Sequence, residues 1–600
     1  MFKSLVFTLL SILLMACHAG EQADGILLIN HLGYQQNGFK SAVFQSTGED
    51  MPLSFVLLDQ KGKEVYSGDF DQGGKIDNWH TGNAYRADFT EFKTCGIYTL
   101  KAIVGKNHIM SAPFSISEVP LVSEILPLLT KAFQLQRCID PYNAKDKALS
   151  FYGERNDVVD VSGGWYDASG EKGKYLSHLS FSNFMIPQQL PMMVWNMLEA
   201  VDVLRSSEMN MAESVMHDML VEAAFGADYL VRVQDPEGYF YATIFAGWTK
   251  DPEQREICAY EGQDGKRNDR YQAAFREGGG MAIAALARSA AAGIQGEFNS
   301  DKYLGAAKKG YAHLKHNNLS YCDDGKENII DDYCALMAAI ELFKATDDET
   351  YLYDARNRAE SLHLRLSADT NFSNWLRADE AGKRPYFHGA EAGLPLIAMM
   401  HYMGIESEPE RINQAKDFVN KAITFELTIT NEVNNPFGYA RQYVKAADEA
   451  APRSAFFLPH QNETAYWWQG ENARLASLAT AMLKAQHVLS GETQSLARRY
   501  AADQINWVLG LNPYDVCMLH GAGRNNPDYK EDGKSMNYLG GICNGITAGF
   551  DDETDIAFRP LPYDEDPAQR WRWSEQWLQH GGWMIPAIAY ASVWEITLKD

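Results

Sequence analysis

The segment Asp160-Val161-Ser162-Gly163-Gly164-Trp165-Tyr166-Asp167-Ala168-Ser169-Gly170-Glu171 places two carboxylates, Asp167 and Glu171, four positions apart on a glycine-rich loop. Taken alone, such a pair suits a solvated turn, so the chain on either side decides its meaning. Downstream, apolar residues recur with a period near 3.6 over Met192–Leu204, Ala212–Val233, Met281–Ala291, Ile329–Ala345, Arg411–Phe425, Asn472–Leu489 and Leu496–Leu509, which predicts long helices. Upstream of Pro120 the period is two, in short runs such as SAVFQ at Ser41, LSFVLLD at Leu53, AYRADF at Ala84 and GIYTLKAIVG at Gly96. Short strands between frequent turn residues predict a β-sandwich. The expected organisation is a sandwich over 24–117 and a mainly helical domain over 118–600. The helices follow no fixed sequence repeat, so a closed helical barrel or toroid fits better than a solenoid.

Composition bounds the function. Six hundred residues exceed what a single core usually supports, and 46% hydrophobic against 22% charged residues describes a folded chain. There are 54 basic against 79 acidic side chains, a net charge of -25, which disfavours nucleic acid as a partner. Lys3, the apolar run Leu5–Met15 and the tetrad Leu14-Met15-Ala16-Cys17 form an export signal over 1–17. The tetrad resembles a bacterial lipobox, so lipid on Cys17 is expected, with an envelope location and membrane contact through that anchor alone. The alternative is an ordinary cleaved signal. The remaining cysteines are scattered without a CxxC spacing, which argues against a disulfide framework or a zinc knuckle.

GxSxG, HExxH and GxGxxG signatures are absent, and GKS at Gly533 has Asp528 where a phosphate loop needs glycine. What remains is an excess of carboxylates and aromatic rings in the segments between helices. Rings stack on sugar faces, and acetal hydrolysis needs one acid and one base. A second such segment is Trp571-Arg572-Trp573-Ser574-Glu575-Gln576-Trp577, followed by Trp583. A carboxyl among four indoles would be desolvated and its pKa raised, as a general acid near neutral pH requires. The competing reading is a packing segment with Glu575 turned outward. A third is Leu509-Gly510-Leu511-Asn512-Pro513-Tyr514-Asp515, with His520 and Arg524 behind it.

Together these strings resemble glycoside hydrolase family 9, the cellulase family. GGWYDA followed by a second acid resembles its catalytic base loop, and Glu575 falls where the family's proton donor precedes the last barrel helix. The Leu509–Asp515 string with His520 and Arg524 behind it resembles the family's sugar-binding histidine loop, and Asn30-His31-Leu32-Gly33-Tyr34 the opening of an N-terminal immunoglobulin-like domain. Phe275–Gly280 and Tyr466–Asn472 also resemble family loops at helix starts. The resemblance implies an (α/α)6 barrel and single-step inversion, with the acid and base about 6.5–9.5 Å apart. It assigns catalysis to Asp167, Glu171 and Glu575, and sugar contacts to Trp165, Tyr166, His520, Arg524, Trp467 and Trp468.

The chain departs from the family in two places. The usual loop reads DAGD, whereas Ser169 adds a residue here and Glu171 stands for the second Asp. The Cys138–Asp160 stretch lacks the Cys-His pair with which some members bind zinc. No cofactor is required; structural calcium at Asp551, Asp552, Glu553 and Asp555 is a possibility without support. The expected substrates are β-1,4-linked gluco-configured chains. Because the loop spacing is similar to that of exo-β-D-glucosaminidases, chitosan oligosaccharides are an alternative, and a weakened sugar-binding lipoprotein is another.

Overall fold

The computed structural model describes residues 24–597 apart from 49–50, 72, 119, 179–180, 208–211 and 263; the expected lipidation site, Cys17, lies outside them. Two sheets form the N-terminal sandwich. One orders Ile26–Leu28, Ser41–Ser46, Asn83–Asp88 and Gly74–Lys75; the other Tyr34–Gln35, Phe114–Ser117, Gly96–Val104, Pro52–Asp59 and Glu64–Asp69. Alternation directs Tyr98, Leu100, Ala102 and Val104 inward from one strand to meet Phe44, Phe55 and Ala87 in a shared core.

Among the described residues, twelve helices of ten or more residues follow. Six form an inner ring: Leu190–Ser206, Gly279–Ala291, Ile329–Thr346, Leu394–Met403, Asn472–Lys484 and Leu578–Thr597, each packed on the next and the last on the first. Leu126–Gln136, Glu213–Arg232, Ser300–Tyr321, Glu349–His363, Pro409–Thr430 and Gly491–Val508 alternate with them in sequence as the outer layer. The result is a mainly helical domain consistent with an (α/α)6 barrel. Position in the ring explains the sequence patterns. Ile329 through Leu342 are all buried, as are Leu394 through Tyr402, so these inner helices are covered on every face. Outer helices such as Glu349–His363 bury only Leu352, Ala355, Ala359 and Leu362, an i, i+3, i+7, i+10 stripe.

The sandwich is bolted to the barrel at the histidine loop. His31 Nε2 lies 3.0 Å from Asp515 Oδ1, and Asn30 Nδ2 donates to Asn506 Oδ1 at 2.8 Å. Arg86 grips Asp503 through both terminal nitrogens, at 2.9 and 2.6 Å, where both side chains are buried. Trp79, fully buried, inserts among Phe437, Phe456, Phe457 and Trp507 of the barrel. Among the described residues no helix is long and apolar enough to cross a membrane.

Candidate active site

The loops joining the helices enclose a cavity of about 410 Å³ whose wall carries Asp167, Glu171 and Glu575 together. Residues more than 400 positions apart meet there because the loop that starts the helical domain is stitched to the segment that starts its last helix. Ser169 N–H donates to the Gln576 carbonyl at 2.9 Å, Gln576 N–H to Ser169 Oγ at 3.0 Å, and Leu578 N–H to the Asp167 carbonyl at 2.9 Å. Ser169 Oγ also donates to Asn537 Oδ1 at 3.0 Å. The residue that lengthens this loop is therefore one of its fasteners.

From behind, the loop rests on a buried charge cluster. Lys174 donates to the carbonyls of Val161 and Gly163, at 2.6 and 2.8 Å, and pairs with Asp146, which Arg255 also holds. Gly164 has φ +73, and a Cβ there would come within 2.9 Å of the Tyr229 ring, so the turn into Trp165 requires glycine.

Each carboxyl has a distinct setting. Asp167 Oδ1 accepts from Gln189 Nε2 at 2.5 Å and Trp577 Nε1 at 3.3 Å, while Oδ2 lies 3.3 Å from His178 Nδ1. Burial opposes charging of His178, but Asp167 and then Glu171 outweigh it and hold the imidazole pKa above its usual value. Glu171 Oε2 accepts from the Tyr175 hydroxyl at 2.9 Å. Burial first and the Asp167 charge second push Glu171 up to about 7. Glu575 Oε1 accepts from the Gly170 N–H at 3.1 Å; burial, then Glu171 and Asp167, raise its pKa well above the carboxylate range. The three carboxyls thus sit in unlike settings, Asp167 held by donors, Glu171 pushed up to about 7 and Glu575 raised well above its ordinary value, and unlike settings are what allows one carboxyl to act as base and another as acid.

Two predictions arise directly. A Cβ on Gly170 would sit 2.3 Å from Glu575 Oε1 and 2.4 Å from Tyr529 Cε1. Gly170→Ala is therefore expected to displace the acid by about 1 Å and lower the rate by roughly 100-fold; a kcat close to the parent's would show that the contact does not hold the acid. Tyr175 donates to the ionised form of Glu171, lowering its pKa, so Tyr175→Phe should raise that pKa. Because the base must be ionised, the acidic limb of the kcat/KM profile should move to higher pH. An unmoved limb would detach Tyr175 from the titration.

The structure places several of the expected sugar contacts away from the cavity wall. Trp165 is fully buried, packs on Phe133 and Phe225, and donates to Glu222 at 2.8 Å. The Tyr166 hydroxyl donates to the Ile139 carbonyl at 3.2 Å, and its ring packs on Tyr142 away from the cavity wall. Trp468 is spent on the Ala548 carbonyl at 2.8 Å and the Phe550 ring. Arg524 is drawn to Asp515, at 2.8 and 2.6 Å, within the joint to the sandwich. His520 is tied by its backbone to Gly540 and Gly541. Neither lines the cavity. Trp467 does, as do Trp571 and Trp577, whereas Trp573 and Trp583 are buried behind them. Only two of the four indoles around Glu575 therefore face the cavity.

Tyr175, His178 and Gln189 escaped sequence reading, as did Trp248, Lys250 and Tyr529 on the wall. Of these, only the four-residue interval from Glu171 to Tyr175 offers a local signal. The acidic run is engaged by protein: Glu553 pairs with Arg453 and accepts the His460 N–H, and Asp555 accepts the His80 N–H at 2.9 Å. Among the described residues no three His, Cys, Asp or Glu side chains are grouped to hold a metal ion.

Known proteins share this architecture. Residues 22–105 match the cellulase N-terminal ig-like domain, and residues 123–534 match glycosyl hydrolase family 9. The chain is 23% identical over 400 residues to Endoglucanase D of Acetivibrio thermocellus, covering 61% of this chain and 60% of that one. The chain thus spans less than two thirds of that relative's length. It is 21% identical over 559 residues to a xyloglucan-specific endo-beta-1,4-glucanase of Bacteroides ovatus, covering 87% and 85%. Among solved structures, a Bacteroides ovatus GH9 protein superposes with a TM-score of 0.64 and a metagenome-derived glycoside hydrolase family 9 endoglucanase with 0.65. Each is 17% identical, with 95% of this chain and 99% of the other covered; such likeness speaks for the fold. The family match ends before Glu575. A match running through the base loop and five of the six inner helices leaves no ambiguity of lineage: the chain belongs to glycosyl hydrolase family 9.

Proposed function

We propose that the chain is an inverting β-glycosidase acting on β-1,4-linked, gluco-configured oligosaccharides. The observation that carries this reading is the convergence of Asp167, Glu171 and Glu575 on one cavity, with Asp167 held by donors and both glutamates raised. Glu575, whose pKa burial and the neighbouring carboxylates raise, gives its proton to the leaving oxygen as the C1–O bond breaks. Asp167 and Glu171 hold a water on the opposite face of the sugar, and Glu171 takes its proton as it attacks C1.

The glucanase names of the matched relatives favour neutral gluco-configured sugars over amino sugars. The test is proton NMR of the first products from cello-, xyloglucan and chitosan oligosaccharides. A β-linked glucan should yield the α-anomer first. A β-anomer would exclude inversion, fastest cleavage of chitosan fragments would select the exo-β-D-glucosaminidase alternative, and binding without hydrolysis the weakened lipoprotein.

Lipid attachment at Cys17 remains a proposal from sequence. Cys17→Ser is expected to release the chain from the membrane fraction, since one lipid signal would be gone; retention of the variant would point to another tether.

A further inference from the structure

The cavity is not built evenly around its reacting carboxyls. On the side of Glu171 four chain segments are drawn together. The Tyr142 hydroxyl donates to the Lys250 carbonyl at 2.6 Å, Lys145 pairs with Glu253 at 2.8 Å, and Arg255 donates to the Lys172 carbonyl. Across the cavity wall the Lys250 ammonium is ion-paired with Glu531, from the hairpin Lys530–Ser535. Lys250 occupies the left-handed backbone region, φ 55, which is uncommon for a lysine, and the Tyr142 bond fixes its carbonyl in that turn. The hairpin is equally close to the chemistry. Tyr529, whose hydroxyl lies 3.3 Å from Glu531 Oε1, leaves no room for a side chain on Gly170, the residue whose N–H holds Glu575. The positive charge of Lys250 is felt at both Glu171 and Glu575. Met185, His388 and Trp467 supply other parts of the wall, in segments that take no part in this bridge. At about 410 Å³ the cavity also falls toward the small end of the roughly 300–1,000 Å³ typical of enclosed ligand sites.

We propose that the Lys250–Glu531 pair bars the cavity beside the reacting carboxyls, so that the chain accepts the ends of short β-linked oligosaccharides and releases sugars from chain ends instead of cutting within polymers. This rests on the glycosidase reading above. The side chains of Lys250 and Glu531 are 34% and 33% exposed. A pair so placed contributes little to stability, and removing it should alter the cavity's shape without unfolding the barrel.

The experiment compares the parent chain with Lys250→Ala and Glu531→Gln on an end-labelled cellohexaose and on a soluble β-1,4-glucan. The parent should release one product size from one end, with polymer viscosity persisting while reducing sugar accumulates. Both variants should form internal fragments and lose viscosity several-fold faster per bond cut. Internal fragments from the parent at the earliest times would overturn the proposal, as would unchanged end-release by the variants. Calorimetry on Glu575→Gln, with and without Lys250→Ala, reads the barrier apart from turnover. Affinity should stop rising beyond a short oligosaccharide when the pair is intact and continue to rise when it is absent; equal length dependence counts against the bar. Hydrolysis with internal products overturns this proposal alone, whereas absence of both hydrolysis and binding overturns the functional reading beneath it.

Discussion

Glu575→Gln is expected to lower hydrolysis of oligosaccharides by about 100- to 10,000-fold, the range general acid catalysis contributes. The substitution is unusually clean here. Glu575 is buried, and burial and the charges of Glu171 and Asp167 raise its pKa well above its ordinary value, which favours the neutral carboxylic acid. Gln is neutral too, and its carbonyl oxygen can accept the same Gly170 N–H. Cavity charge and the loop contact are thus preserved while the transferable proton is lost. Aryl glycosides with very acidic leaving groups need little protonation and should be much less affected. Equal losses on both substrate types, or none on either, would remove Glu575 from the role of acid.

The same coupling sets the pH response of the parent enzyme. In the proposed mechanism activity needs Glu171 ionised and Glu575 protonated. Burial and the Asp167 charge push Glu171 up to about 7, so the acidic limb of kcat/KM should lie near neutrality, and the alkaline limb, set by Glu575, should lie well above the ordinary carboxylate value. The two limbs belong to the interacting set of carboxyls and not to either residue alone.

Legibility in the sequence followed the range of the interactions. Strand alternation and helical stripes are local, so the sandwich and most amphipathic helices were visible, and the carboxyls of the cavity stood out because they sit in unusual strings. Partner choice is not local. Trp165 and Trp468 look like sugar platforms until Glu222, 57 positions away, and Ala548, 80 positions away, are seen to take their indole N–H groups. Arg524 looks like a ligand for a sugar, but its guanidinium is committed to Asp515, which also contacts His31 of the sandwich. Conversely, nothing in the neighbourhood of Gln189 or His178 marks them, because their relevance comes from the folding of both onto Asp167. The raised pKa of Glu575 was expected from surrounding indoles. Burial is indeed its first cause, but the neighbouring carboxyls come next, which only the meeting of residues 167, 171 and 575 supplies.

Glu171→Gln is expected to abolish turnover while oligosaccharide binding persists, since the side chain keeps its size and its acceptor for Tyr175 but can no longer take a proton from water. Asp167→Asn should also be severely impaired: both carboxylate oxygens face donors, Gln189 and Trp577 on one side and His178 on the other, and an amide must turn its NH2 toward one of them. The direction of Glu171→Asp is the decisive measurement. Ser169, the extra loop residue, is fastened through its N–H, its hydroxyl and the Gln576 N–H it accepts. The longer loop is thus a built part of the site, and we propose that the longer side chain is matched to it. Shortening Glu171 by one methylene would withdraw the carboxylate by about 1 Å from Tyr175 and the water, so a loss near 100-fold is expected. A large gain would instead mean that the loop favours the shorter acid and that this chain is a weakened catalyst. Should Glu171→Gln hydrolyse at the parental rate with inversion, the base must lie elsewhere, with Asp167 the first residue to test.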